Sequence, residues 1–212
     1  MSSTGIFWIR EDFRIENNPA LSYATQNHEK VIALYIYNNN DFDKKREAQK
    51  WWVSKSLESL KKELSEYKIN LEIVKGDEIE IFSKVNKKDK ISVYWNKIYE
   101  PDVITKGKKI RDIFIKNEIS YKYFKGNILT EFQDVTKNDG TPFKVFTPFW
   151  RNAEQVYLNQ PPGGNYTVKK KTKKVSYFKK CIETKNILPK NNWYKKFEKY
   201  WKVSENDSKK IL

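Results

Sequence analysis

The residues of this chain able to do chemistry sit in a few short stretches. Arg10-Glu11-Asp12-Phe13-Arg14 packs four charges into five positions directly after an apolar run. Paired charges at that spacing can meet a ligand, but more often tie a loop down, and the loop-tying role is favoured; Arg10 is kept as a ligand-contact candidate. Two further stretches, Tyr35-Ile36-Tyr37-Asn38 and Asn96-Lys97-Ile98-Tyr99-Glu100, lie at the carboxyl ends of apolar runs. In an open α/β sheet that is where ligands sit. Trp95 and Tyr99 fit a plain core role equally well.

Machinery for bond-breaking is not evident. Neither GxGxxG nor GxxxxGK[ST] occurs, so no glycine-rich loop cradles a phosphate. One histidine, His28, and one cysteine, Cys181, leave no credible Ser/His/Asp set and no zinc cluster. His28 stands at a helix end, where capping or solvation is expected. Glu78 and Glu80 open a helix, where acids offset the macrodipole.

The elements that must carry these residues alternate. Gly5 to Ile9 reads as a buried strand, and Asn18-Pro19 opens a helix, Asn as cap and Pro at the first helical position. Val31–Tyr37, Ile69–Lys75, Ile91–Trp95 and Ile119–Phe124 are further strands. Helices are expected over 46–68, where Val53, Leu57, Leu60 and Leu64 form one stripe, over 78–85, and from Pro101 to Lys116. Alternation without hairpin turns implies a doubly wound, five-stranded parallel sheet, Rossmann-like, of order 3-2-1-4-5. After Gly126 the pattern changes: a turn at 138–142, a short helix over 150–158, and a break at Pro161-Pro162-Gly163-Gly164. Residues 1–160 are expected to form the α/β domain. Residues 161–212 are expected to be an extended, basic interdomain linker, with thirteen Lys against two Glu between Lys169 and Lys202. It looks too polar for a core, yet Trp193, Tyr194, Phe197, Tyr200 and Trp201 should pack along a surface.

Only 38% of the 212 residues are hydrophobic but 15% are aromatic, so the core must lean on rings. A net charge of +15 suits a polyanion or equally a lysine-rich proteome habit. A lone cysteine, no targeting segment and no bilayer-length apolar run point to a cytoplasmic protein without membrane contact.

Several stretches resemble the DNA photolyase/cryptochrome family. Trp8-Ile9-Arg10, Asp12-Phe13-Arg14 and Asn17-Asn18-Pro19-Ala20-Leu21 are similar to that family's opening. So are Trp51-Trp52-Val53-Ser54-Lys55-Ser56-Leu57, Tyr94-Trp95-Asn96-Lys97-Ile98-Tyr99-Glu100-Pro101 and Lys144-Val145-Phe146-Thr147-Pro148-Phe149-Trp150-Arg151. These four blocks stand in the right order over residues 5 to 157. Trp201-Lys202-Val203-Ser204-Glu205 is a weaker match to the end of the family's interdomain linker.

The resemblance implies an N-terminal domain able to hold an antenna chromophore: a folate, a deazaflavin or a flavin. It implies a helical domain beyond Leu212 that holds FAD and the DNA lesion, in the same or a separate chain. This chain alone would then not repair DNA, and would bind it weakly. Candidate antenna contacts are Arg10, Tyr35 to Asn38, Asn96 to Glu100, and Gln49 with Lys50. Gln49 stands about where deazaflavin-binding members carry an Arg, and Asp102-Val103 where folate-binding members of one branch carry Asn-Glu. The FTPFW block is expected to pack the domain against its linker and partner domain. A cryptochrome-like photoreceptor, a stand-alone nucleotide-type interaction module and a lysine-tail nucleic-acid binder are the alternatives.

Overall fold

A computed structural model describes residues 3–38, 47–85, 87–159 and 166–211. Its strands are β1 (Thr4–Ile9), β2 (Lys30–Tyr37), β3 (Asn70–Lys75), β4 (Ile91–Asn96) and β5 (Ser120–Phe124). All pair in parallel, in the order β3-β2-β1-β4-β5. The helices are α1 (Pro19–Asn27), α2 (Glu47–Glu66), α3 (Glu78–Ser83), α4 (Pro101–Lys116), α5 (Phe146–Asn159) and α6 (Glu205–Ile211).

The uninterrupted apolar runs arise because both faces of the sheet are covered. Alternate residues feed two cores. Phe7, Ile9, Val31, Ala33 and Tyr35 pack with α1 and the Val53–Leu57–Leu60–Leu64 stripe of α2. Ile6, Trp8, Ile32, Leu34 and Trp95 pack with Phe82 of α3 and with Ile110 and Phe114 of α4. In the second core the rings of Trp8, Phe82, Trp95 and Phe114 interlock among aliphatic side chains: the Trp8 ring meets Phe82 at 4.9 Å, and Phe82 meets Phe114 at 5.0 Å.

Local signals set the helix ends. Asn18 Oδ1 accepts from Leu21 N at 3.1 Å at the start of α1, and the backbone N–H of His28 donates to Ala24 O at its end. His28 therefore caps, but it is buried rather than solvated. It lies so close to β1 that a Cβ on Gly5 would come within 2.8 Å of its ring. Glu47 begins α2; Arg46, the expected start, lies outside the described residues. α5 begins at Phe146 rather than near Trp150, because Pro148 fits a first helical turn, where its missing N–H costs nothing.

The segment after residue 165 departs from the expectation of a chain too polar for a core. It closes the exposed edge at β3, where unpaired backbone groups need cover. Lys171 N donates to Tyr67 O at 2.9 Å and Ile182 N to Ile73 O at 2.8 Å. The buried carboxylate of Glu72 accepts from Tyr177 N and Phe178 N. Ile187 is buried against the first core, and Val175, Tyr177 and Phe178 lie against the second. Of the tail aromatics Tyr194 is buried, whereas Tyr200 is 84% exposed. Glu198 accepts from Trp51 Nε1 and pairs with Lys55 at 3.0 Å, fixing this stretch to α2. No helix among the described residues is long and apolar enough to cross a membrane.

Candidate functional site

The loop after β1 is organised by Asp12. Its carboxylate accepts from its neighbour Arg10 N at 3.2 Å, from Asn18 Nδ2 at 3.4 Å and from Asn96 Nδ2. Asn96 in turn donates to Asn18 Oδ1 and accepts from Ala20 N. One acid thus ties the ends of β1 and β4 to the cap of α1. Burial pushes the Asp12 carboxyl above its usual range, against the pull of the bond from Asn96. Beside this knot, Arg10 lines a cavity.

That cavity, about 760 Å³, opens at the carboxyl ends of β1, β2 and β4. β1 supplies Trp8 and Ile9 and β2 supplies Tyr35 and Ile36. Gln49, Trp52 and Val53 of α2 form one wall; Asp102, Val103 and Lys106 of α4 form another. Arg10, Glu11, Phe13, Glu78, Ile98 and Glu100 complete it. The Arg10 guanidinium sits 4.4 Å from the Trp8 ring centroid, a cation–π contact. Burial holds Arg10 below its ordinary value, opposed by Glu78, Glu11 and Asp12. Lys106 pairs with Glu78 and, at 2.9 Å, with Asp77. Burial pulls the Lys106 ammonium down, but these bonds outweigh it and hold the group above the usual lysine value.

The candidate residues fall into two groups. Arg10, Tyr35, Ile36, Gln49, Ile98 and Glu100 line the cavity. Tyr37 and Asn38 are buried beyond it, Asn38 Nδ2 lying 3.5 Å from Asp77 Oδ2, and Lys50 pairs with Glu47 at 2.7 Å. Asn96 belongs to the Asp12 knot. Lys97 and Tyr99 turn away to Glu131, at 2.7 and 3.1 Å, and Tyr99 Oη accepts from Gly126 N. A Cβ on Gly126 would meet Lys97 O at 2.0 Å, so that close approach requires glycine.

Sequence reasoning missed Trp52, Phe13 and the Lys106–Glu78 pair as part of the wall. Two of these carried a signal: Trp52 lies off the apolar stripe of α2, and Phe13 is a lone ring among four charges. The ion pair joins two helices and leaves no trace in local spacing. Among the described residues no cluster of His, Cys, Asp and Glu fits a metal ion.

A parallel sheet of this order is what a comparison with known proteins also finds. The family model for DNA photolyase matches residues 5–165. The chain belongs to the DNA photolyase family. It is 28% identical over 208 residues to a deoxyribodipyrimidine photo-lyase of Agrobacterium fabrum, covering 94% of this chain and 42% of that protein. It is 27% identical over 172 residues to cryptochrome-2 of Arabidopsis thaliana, covering 76% of this chain and 28% of that one. Among solved structures, a bacterial class III photolyase from Agrobacterium tumefaciens superposes with a TM-score of 0.83 at 26% identity, over 99% of this chain and 44% of its own. An archaeal photolyase from Sulfolobus tokodaii, solved with two FAD molecules, shares the fold at a TM-score of 0.63 and 22% identity, over 87% of this chain and 40% of its own. The chain spans less than half the length of these photolyases and matches their N-terminal α/β part.

Proposed function

We propose that this chain is the antenna-chromophore domain of a deoxyribodipyrimidine photolyase. The observation that carries the reading is the cavity itself. Its volume lies within the range of small-molecule sites, roughly 300–1,000 Å³. Trp8, Phe13, Tyr35 and Trp52 bring aromatic surface to it, and Arg10, Gln49 and Glu100 add hydrogen-bonding groups. That mixture suits a flat, conjugated heterocycle such as a folate, deazaflavin or flavin. When bound, such a group would absorb near-ultraviolet or blue light and pass the excitation to a flavin. The chain's own part is to hold it. Arg10 is available to an acceptor on the ring edge, Glu100 and Asp102 to donors, and the aromatic side chains exclude water.

Repair itself is assigned to an FAD-binding helical domain, in the same or a separate chain. The face of α5 supports such a partner: Phe146, Phe149 and Trp150 are 71, 39 and 51% exposed, and only Ala153 of that helix is buried. On this reading residues 1–160 are the antenna domain, residues 161–212 the linker, and the linker lysines add weak, salt-dependent attraction to DNA.

The test is an absorption spectrum of the protein purified in the dark, before and after incubation with a folate, a flavin and a deazaflavin. A band beyond the protein's own aromatic absorption, retained through gel filtration, is the expected result. A folded protein that takes up none of the three would overturn the reading.

A further inference from the structure

The two edges of the sheet differ. The chain itself covers β3: Ile182 N donates to Ile73 O, and the Glu72 carboxylate accepts from Tyr177 N and Phe178 N. β5 stands at the other end of the strand order and pairs with β4 alone. Lys97 N donates to Phe124 O at 2.9 Å, so the backbone groups of Phe124 face β4, and those of Lys122 and Ser120 with them. The N–H and C=O groups of the alternate residues, Tyr121 and Tyr123, point outward. Among the described residues no hydrogen bond reaches them. Tyr123 is 41% exposed, and Lys122 beside it is exposed too.

An open edge is a template for another strand, and proteins often blunt it with lysine. Here the cations also select. From Ile119 to Lys125 the chain carries two lysines and no acid. The Lys122 ammonium lies 4.2 Å from the ring centroid of Tyr23, on the α1 face of the sheet. The Arg111 guanidinium of α4 lies 5.6 Å from that of Tyr123, on the other face. Neither forms an ion pair among the described residues; each is held over a ring instead. Lys97, a further cation at Tyr123, is already paired with Glu131. A basic strand arriving at this edge would be repelled, and a second copy would bring the same cations against their counterparts. Nucleic-acid phosphates would meet the cations, but they only accept and would leave the two carbonyls unmet. An acidic strand satisfies both the cations and the backbone.

We propose that the β5 edge is a docking site for an extended acidic segment of another protein, which adds a sixth strand to the sheet. Neighbouring residues of a strand point to opposite faces. Two consecutive acids in the segment therefore reach both cations, one beside Lys122 and the other beside Arg111. The backbone of Tyr121 and Tyr123 supplies the pairing, and the two cations set the choice of partner.

The probe is a capped, fluorescein-labelled peptide with two consecutive glutamates flanked on each side by two threonines, titrated by fluorescence anisotropy at low salt. It should bind the full 212-residue chain about tenfold tighter than its counterpart with lysines in place of the glutamates. Methylating every backbone nitrogen of the acidic peptide keeps its charge but removes its donors, and should weaken binding about tenfold. Arg111→Gln and Lys122→Gln should each weaken it about two- to fivefold, the size of a surface ion pair. Arg111→Glu combined with Lys122→Glu should make the lysine peptide the tighter ligand, with the melting temperature as a check of the fold. The methylated peptide leaves the protein unaltered, so its result stands whatever the variants do. Equal binding of the methylated and unmethylated peptides, or no binding of either, overturns the strand addition. Acidic-peptide binding unchanged by the double reversal assigns the attraction to the net charge of the chain and overturns the site. Two further results overturn the choice of occupant: a short oligothymidine that binds tighter than the peptide and is lost on reversal, or a dimer of the unaltered chain that the peptide disrupts.

Discussion

Two aromatic surfaces of this molecule contrast sharply. The cavity at the carboxyl edge gathers Trp8, Phe13, Tyr35 and Trp52 into a concave space edged by Arg10, Glu78 and Glu100. The face of α5 spreads Phe146, Phe149, Trp150 and Leu158 over one convex helix, where Phe146 and Trp150 stack at 6.1 Å with no acid or base between them. A small ligand needs enclosure and a few orienting polar groups. A protein partner needs a broad apolar patch. The same residue types therefore point to different occupants, and what separates them is curvature and the charge placed beside the rings.

The sharpest way to break this contrast is to compare helices. Phe114 of α4 is fully buried among Phe82, Trp95 and Tyr121. Phe114→Ala is expected to cost about 3–5 kcal/mol in denaturant unfolding. Trp150→Ala on α5 should cost under about 0.5 kcal/mol and reduce concentration-dependent self-association in light scattering. Comparable losses from the two would mean that the α5 face is already covered within this chain.

Next in size is the loop that sets the cavity mouth. Asp12→Ala leaves the Arg10 N–H and the amides of Asn18 and Asn96 short of an acceptor. The expected loss is about 2–3 kcal/mol, below that of Phe114 because an acid whose ionisation is already opposed by burial is removed as well. A variant as stable as the parent would show that the knot is not what holds β1, β4 and α1 together.

The smallest effect is a pH dependence at the opposite, amino-terminal end of the sheet. His28 Nε2 bonds Tyr94 Oη at 2.7 Å and Nδ1 bonds Ser3 Oγ at 2.8 Å. Burial lowers its basicity, the bond to Ser3 opposes that, and Lys171 lowers it further. The unfolded chain then takes up the proton first as pH falls below about 6.5. The stability His28 contributes is complete above that value and declines below it. The melting temperature should fall from pH 7 to pH 5, and the fall should shrink in His28→Gln; an equal fall in both would assign it to other groups.

Much of this was legible in the sequence. Five apolar runs, the Asn18-Pro19 cap and the α2 stripe were enough for the sheet and its order, since each signal is local. The cavity was half legible. Strand ends marked Tyr35, Ile36, Ile98 and Glu100, but the direction of Asn96 and Tyr99 depends on partners 78 and 32 residues away, Asn18 and Glu131. That the linker packs along a surface was expected from its aromatic residues, but the contacts that hold it were hidden for the same reason. Glu72 looks like an ordinary charge on an edge strand until Tyr177 and Phe178 arrive to donate to it.

The central claim is that the concave aromatic surface, not the convex one, binds a chromophore. Arg10→Ala, Trp52→Ala and Trp150→Ala are each titrated with a flavin and a pterin, followed through the ligand's own absorption. The account predicts that each cavity variant loses about tenfold or more in affinity, as expected for a lost ring or cation contact in a partly desolvated site, while Trp150→Ala binds like the parent. Loss confined to Trp150→Ala, with Arg10→Ala and Trp52→Ala unaffected, would contradict it.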